Sequence, residues 1–162
     1  MNGVTIRDMQ PGEEHAVIAL VSRVFSRQVA PLYTPQGVDE FFSYANAAAL
    51  ARRLASKHNA LVALDPSGEL IGMTEVREGR HLSMLFVDTA RQRSGIGRML
   101  LQVVIDRCRQ MNPALDQLTV HSSPNAVGAY QKFGFRALSP EQEKNGIRFV
   151  PMSLGLEADN IA

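Results

Sequence analysis

The sequence predicts an α/β (α+β) fold: a mixed, mostly antiparallel sheet flanked by helices, with one parallel crossover. Three observations predict it. Short apolar runs between Ala60 and Val87 are separated by the turns Asp65-Pro66-Ser67-Gly68 and Glu78-Gly79-Arg80, which describes a three-strand meander. A helix-period stretch follows from about Gly95 to Met111, with Ile96, Met99, Leu100, Val103 and Val104 on one arc. Leu118–His121 then reads as a strand directly after that helix, and a strand–helix–strand unit makes a parallel pair.

The remaining elements fall in order around this centre. Val4-Thr5-Ile6 alternates as a short first strand, and Pro11-Gly12 breaks the chain before Glu13-Glu14, acids suited to a helix's first turn. Ala16, Val17, Leu20, Val21 and Val24 continue that helix to about Ser26. Gln28 to Gly37 holds two prolines and a glycine and reads as a loop, while Phe41–Tyr44 and Ala47 to about Ser56 read as helical. Asn112-Pro113 ends the long helix. Asn125–Lys132 is a short helix, Phe135–Leu138 a strand, Ser139–Gly146 a loop and Ile147–Leu154 the last strand. Pro151 marks that strand as an edge or a bulge. Residues 1–156 are expected to form a single domain, with 157–162 a polar tail.

Composition limits the function classes. The 162 residues are 45% hydrophobic and 20% charged, as in an ordinary globular domain. A net charge of +1 provides no chain-wide footprint for nucleic acid, so any anion site must be local. The single cysteine, Cys108, cannot form an internal disulfide and suits a reducing compartment; no apolar run is long enough for a membrane span. The expected location is the cytoplasm. No histidines or carboxylates stand at metal-ligand spacing, and no metal is expected.

The local anion site is the stretch Arg91-Gln92-Arg93-Ser94-Gly95-Ile96-Gly97-Arg98, between the strand and the long helix. A strand ending in a glycine loop that opens a helix presents unpaired N–H groups and the positive end of the helix dipole. Arg93 and Arg98 either add charge to that site or stay solvated. Glycine spacing alone is weak evidence. A third glycine of a dinucleotide fingerprint is absent, and no Gly-Lys-Ser/Thr follows to make a P-loop.

Gln92-Arg93-Ser94-Gly95-Ile96-Gly97 resembles the Gln/Arg-x-x-Gly-x-Gly/Ala signature of the GNAT superfamily of acetyl-CoA-dependent N-acetyltransferases. Ala129-Tyr130-Gln131-Lys132-Phe133-Gly134-Phe135 resembles that family's second signature, and the element order from Val4 to Leu154 is similar throughout. The resemblance implies a GNAT fold with splayed fourth and fifth strands, and acetyl-CoA as co-substrate. Backbone N–H groups of residues 92–98 would hold the CoA pyrophosphate, and main-chain atoms of Leu85, Phe86 and Val87 the pantetheine arm. Phe133 is placed among the cofactor contacts. Tyr130 takes the family position of the phenol that protonates the leaving thiolate. Where many members carry an asparagine seven residues earlier, this chain has Ser123, with Asn125 two residues on, so either can supply that contact.

An amine near the lysine pKa of ~10.4 is mostly protonated at pH 7, so transfer calls for a general base, worth about 10²–10⁴-fold. His81, at the start of the fourth strand, is the first candidate, Glu75 the second and His121 the third, with water left as the alternative. Two-residue alternation would put His81 and Ser83 on the face of Leu85 and Val87. Phe25, Tyr33, Phe41, Phe42 and Tyr44 can shape an acceptor pocket or simply be core, and Asp39, Glu40, Glu141 and Glu143 can attract an amine. The expected acceptor is a small-molecule amine or a peptide or protein amine. The rival expectation is a catalytically silent CoA-binding module. A homodimer through an edge-like last strand is a further possibility.

Overall fold

The computed structural model describes residues 3–156; the expected polar tail, 157–162, lies outside them. Strands are β1 (Thr5–Asp8), β2 (His58–Leu64), β3 (Leu70–Arg77), β4 (His81–Val87), β5 (Gln117–Ser122), β6 (Arg136–Ala137), β7 (Gln142–Lys144) and β8 (Ile147–Gly155). Helices are α1 (Glu14–Gln28), α2 (Pro35–Tyr44), α3 (Ala47–Leu54), α4 (Ile96–Met111) and α5 (Val127–Lys132). The sheet runs β1-β2-β3-β4-β5-β8-β6, with β7 also paired to β8. Every pairing is antiparallel except β4 with β5, which the α4 crossover makes parallel.

Both faces of the sheet are covered, so β2 and β3 read as continuous apolar runs. On one face Val17, Leu20 and Val21 of α1 and Leu50 of α3 pack on Val62, Met73 and Met84. On the other, Ile96, Leu100, Leu101 and Val104 of α4 pack on Leu61, Ile71 and Leu82. Each such side chain, fully buried, is worth ~1.5–3 kcal/mol.

The segment expected as a loop, Gln28–Gly37, is mostly helical. Its first residue belongs to α1, Ala30–Leu32 forms a 3₁₀ turn, and α2 starts at Pro35. Thr34 caps α2, accepting a hydrogen bond on Oγ1 from Gly37 N–H at 3.1 Å, and Pro35 occupies the first turn, where no N–H is needed. Part of the expected loop 139–146 is likewise strand β7.

The last strand is not an edge. β8 lies between β5 on one side and β6 and β7 on the other. Pro151 is tolerated because its carbonyl accepts from Leu138 N–H (2.8 Å) on the β6/β7 side. A strand residue's N–H points the same way as its carbonyl, so the missing donor falls where β6 has ended and β7 has not begun. Among the described residues β8 is therefore paired on both sides over most of its length.

β4 carries the feature that makes a site. Glu75 pairs with Met84 and Val76 with Leu82, which leaves Ser83 as an extra residue, a β-bulge. Parallel pairing to β5 is confined to His81 with Thr119 and Leu82 with Val120. Beyond Leu82 the two strands part. The bulge also overturns the expected alternation: Leu85 and Val87 pack on the α4 face, Met84 and Phe86 on the α1 face. With one residue inserted, His81 shares the face of Met84 and Phe86 instead.

Candidate active site

Where β4 leaves β5, a cavity of about 570 Å³ opens. Its walls come from α1, α2 and the link between them (Phe25, Tyr33, Glu40, Phe41, Tyr44), from β3 and β4 (Arg77 and His81 through Phe86), and from β5, α5 and the link between them (Val120, His121, Ser123, Tyr130). The aromatic wall is continuous. Phe25 and Phe41 stack with centroids 3.8 Å apart, and Phe41 meets Phe86 edge-on at 6.1 Å. Phe42 packs against both Phe25 and Phe41 from outside the lining. Burial pushes the Tyr33 phenol up to about 12.

The loop after β4 is braced from within. Asp88 Oδ1 accepts from Ala90 N–H (3.0 Å), starting a 3₁₀ turn over Thr89–Arg91. Arg91 is anchored on Asp65 at 2.9 Å. The Asp65 carboxyl is held well below the usual carboxylate range, by Ser67 first, then by Glu69 N–H and, after the opposing cost of burial, by Arg91. Gln92 and Gln28 exchange side-chain amide hydrogen bonds of 2.9 and 3.0 Å, and Gln92 also donates to Val87 O at 3.0 Å. The Gln92 side chain is thus a brace between α1, the end of β4 and the loop. Ser94 Oγ donates to Arg91 O.

Arg93 (φ 66°) and Gly95 (φ 88°) both take the left-handed conformation just before α4. Residues so arranged turn successive N–H groups into one concavity, an anion nest that the α4 dipole reinforces. Only Gly adopts that conformation without steric cost, so Gly95 is needed for its backbone. Gly97 serves another purpose. A Cβ there would lie 3.6 Å from the Phe133 ring and 3.8 Å from Val87, an ordinary contact, whereas a longer side chain would press against those two groups in the first turn of α4. Arg98 lies over the Phe133 ring at 5.1 Å and reaches Lys132 O at 3.3 Å; Arg93 is exposed.

The structure places the expected cofactor residues in two groups. Residues 92–98, Val87 and Phe133 surround the nest, while Leu85, Phe86 and Ser123 line the cavity. Asn125 is exposed in the 3₁₀ turn Pro124–Ala126, outside the lining.

Tyr130 faces the cavity from α5 and is 7% exposed. Its ring packs against Phe133 and Phe135, and burial pushes the phenol above its ordinary value. It therefore stays protonated at neutral pH.

His81 also lines the cavity, with Nδ1 2.8 Å from Thr119 Oγ1 and its ring 5.0 Å from that of His121. Burial, then the Arg77 charge and then His121 and His58, lower its pKa to about 4. His121 is more exposed, stacks on Phe149 at 4.6 Å, and is lowered by burial and by Arg77. Because the unfolded state binds its proton near 6.5, stability from His81 is complete above that pH and is lost as pH falls toward 4. The partly buried ring makes this loss about 2 kcal/mol. Urea unfolding at pH 7.5 and 4.5 should show wild type losing about 2 kcal/mol more than His81→Gln over that interval; equal losses would remove the assignment.

Glu75 is placed differently from the expectation. It is fully buried and absent from the cavity lining. Arg53 of α3 holds it with two hydrogen bonds, Nε to Oε2 at 2.7 Å and Nη2 to Oε1 at 3.0 Å, and His58 Nδ1 lies 2.6 Å from Oε2. The Arg53 guanidinium stacks 3.5 Å from the Tyr44 ring and donates to Tyr44 O at 2.6 Å. Tyr44, raised by burial and then by Glu75, hydrogen-bonds Ser83, the bulge residue. Glu75 and Arg53 therefore back the cavity wall from behind. A carboxylate so enclosed cannot reach an amine in the cavity.

Sequence reasoning missed Arg53, Arg77 and the role of Ser83. Arg77 was within reach, because the Glu78-Gly79-Arg80 turn makes Arg77 the cross-strand partner of His81. Arg53 and the bulge left no pattern.

Comparison with known proteins agrees with this geometry. A family profile described as "Acetyltransferase (GNAT) domain" matches residues 29–156. The N-acetyltransferase YafP of Escherichia coli (strain K12) is 24% identical over 144 residues, covering 88% of this chain and 87% of that protein. A GCN5-related N-acetyltransferase from Rhodopseudomonas palustris superposes with a TM-score of 0.82 at 21% identity, covering 96% of this chain and 98% of the other. The PaiA N-acetyltransferase of Thermoplasma acidophilum, solved in complex with coenzyme A, gives 0.76 at 17%, covering 94% and 99%. At these identities the structural likeness speaks for the fold, and the profile match carries the assignment: the chain belongs to the GNAT acetyltransferase family.

Proposed function

We propose that the protein transfers the acetyl group of acetyl-CoA to the primary amine of a small molecule, peptide or protein by direct attack in a ternary complex. The observation that carries this reading is the parting of β4 from β5 at the Ser83 bulge, between an anion nest and an aromatic cavity. The residues fit the cofactor. A pyrophosphate suits the left-handed nest at Arg93–Gly95 and the start of α4. Beyond Leu82, β4 makes no ladder bond to β5, so its backbone can pair with an extended amide-bearing arm as a strand would.

Acetyl-CoA supplies an activated thioester; the chain supplies position and proton handling. Tyr130, protonated throughout the neutral range, donates a hydrogen bond toward the departing sulfur. His81 is neutral at pH 7 and can accept a proton, directly or through water. With its pKa lowered to about 4 it is a weak base, so it fits best as one station in a relay to solvent past Thr119 and His121. The β4 N–H groups beyond the bulge supply donors for charge developing on the carbonyl oxygen.

Calorimetry with acetyl-CoA, followed by a turnover screen over amines and peptides, tests the reading. Gly97→Leu should weaken acetyl-CoA binding at least tenfold (about 1.4 kcal/mol), read at a temperature where thermal unfolding shows the variant folded. Unchanged affinity would reject the nest as the pyrophosphate site. Tight binding with no turnover on any amine would favour the silent CoA-binding module.

A further inference from the structure

The cavity carries one guanidinium and one carboxylate, and they are differently engaged. Glu40 accepts a hydrogen bond from the Asn145 side chain at 3.2 Å. Arg77 lines the cavity and forms no ion pair among the described residues. It stands directly across from His81 in the β3–β4 ladder, on the same face. Side chains so paired start about 5 Å apart, close enough for both to reach neighbouring groups of one small molecule. Part of the remaining wall is aromatic: Phe25, Phe41 and Tyr44. The field of Arg77 reaches into the cavity, where it opposes protonation of both His81 and His121.

Resting on the N-acetyltransferase reading, we propose that the acceptor is a small amine that carries its own carboxylate, an α-amino acid or close analogue with an apolar or aromatic side chain. Arg77 holds the carboxylate, the aromatic wall takes the side chain, and the amine is left beside His81. A planar guanidinium suits this task because it can bind a carboxylate through two parallel hydrogen bonds. The same cation disfavours a polyamine. An extended polycation would bring several charges to a lining whose single carboxylate is balanced by Arg77.

The test uses the full chain, acetyl-CoA and matched acceptors: phenylalanine, leucine and methionine, their carboxamides, the corresponding decarboxylated amines, and spermidine. CoA release and product mass are both followed. The acids should exceed their amides and amines at least tenfold in kcat/KM, with spermidine weakest. Arg77→Gln should remove that preference, mainly by raising KM for the acids, and Arg77→Lys should restore part of it. Equal or better use of the amides, the amines or spermidine overturns the proposal and leaves the acetyltransferase reading standing. So does an acid-to-amide ratio that Arg77→Gln leaves unchanged. Acetyl-CoA that binds with no acid turned over also overturns it, and failure to bind acetyl-CoA removes both.

Discussion

Replacing Tyr130 with phenylalanine is expected to lower kcat by ~10²-fold or more while leaving acetyl-CoA affinity within about twofold. The phenol is buried against Phe133 and Phe135, so phenylalanine fills the same space and the fold should be kept. What disappears is a proton held at the cavity. A CoA-like thiol ionises near pH ~8.5, below an ordinary tyrosine and further below one raised by burial. Complete proton transfer to the thiolate is therefore uphill, and the phenol contributes chiefly as a hydrogen-bond donor while the carbon–sulfur bond breaks. For the same reason no alkaline limb from Tyr130 should appear below about pH 10. Single-turnover measurements with a good acceptor decide it; an unchanged rate would leave Tyr130 a packing residue.

The second large effect is on stability. Glu75→Ala should cost ~3–5 kcal/mol, because it leaves the Arg53 guanidinium enclosed without its carboxylate. In a chain of 162 residues that is a fall on the order of 10 °C in Tm. The double variant Arg53→Met with Glu75→Leu should recover most of that loss, since burying a matched ion pair gains little over burying well-packed apolar groups. Thermal unfolding of the two singles and the double measures the coupling. Near-additive losses would mean the pair is not interdependent. The recovered fold should still turn over poorly, because Tyr44 would lose the cation on which its ring is stacked and with it the support of Ser83.

Much of this architecture was legible in the chain, for identifiable reasons. The meander, the long helix and its glycine loop were readable because apolar periodicity and turn residues are local signals. Thr34-Pro35 was misread because proline starts a helix as readily as it ends one, and only the Thr34 hydroxyl on Gly37 distinguishes the two. Pro151 was misread because strand neighbours are set by distant segments; where β6 stops and β7 begins cannot be seen from Pro151 itself. On the site, the Gln92–Gly97 loop and Tyr130 stood out as motifs. Glu75 did not separate from His81 by spacing, since both lie close to the same Glu78-Gly79-Arg80 turn. Only the packing of α3 on β2 and β3 reveals Arg53 above the carboxylate.

The Ser83 bulge has a consequence for how such a protein can change. β4 has one residue more than β3 opposite it at the point where it leaves β5, so the bulge is encoded as a count and not as a side chain. Replacing Ser83 keeps the count even where it loses the Tyr44 hydrogen bond, whereas losing the position would bring β4 back into step with β3. A survey of point substitutions would miss that count, while a survey of single deletions would find it.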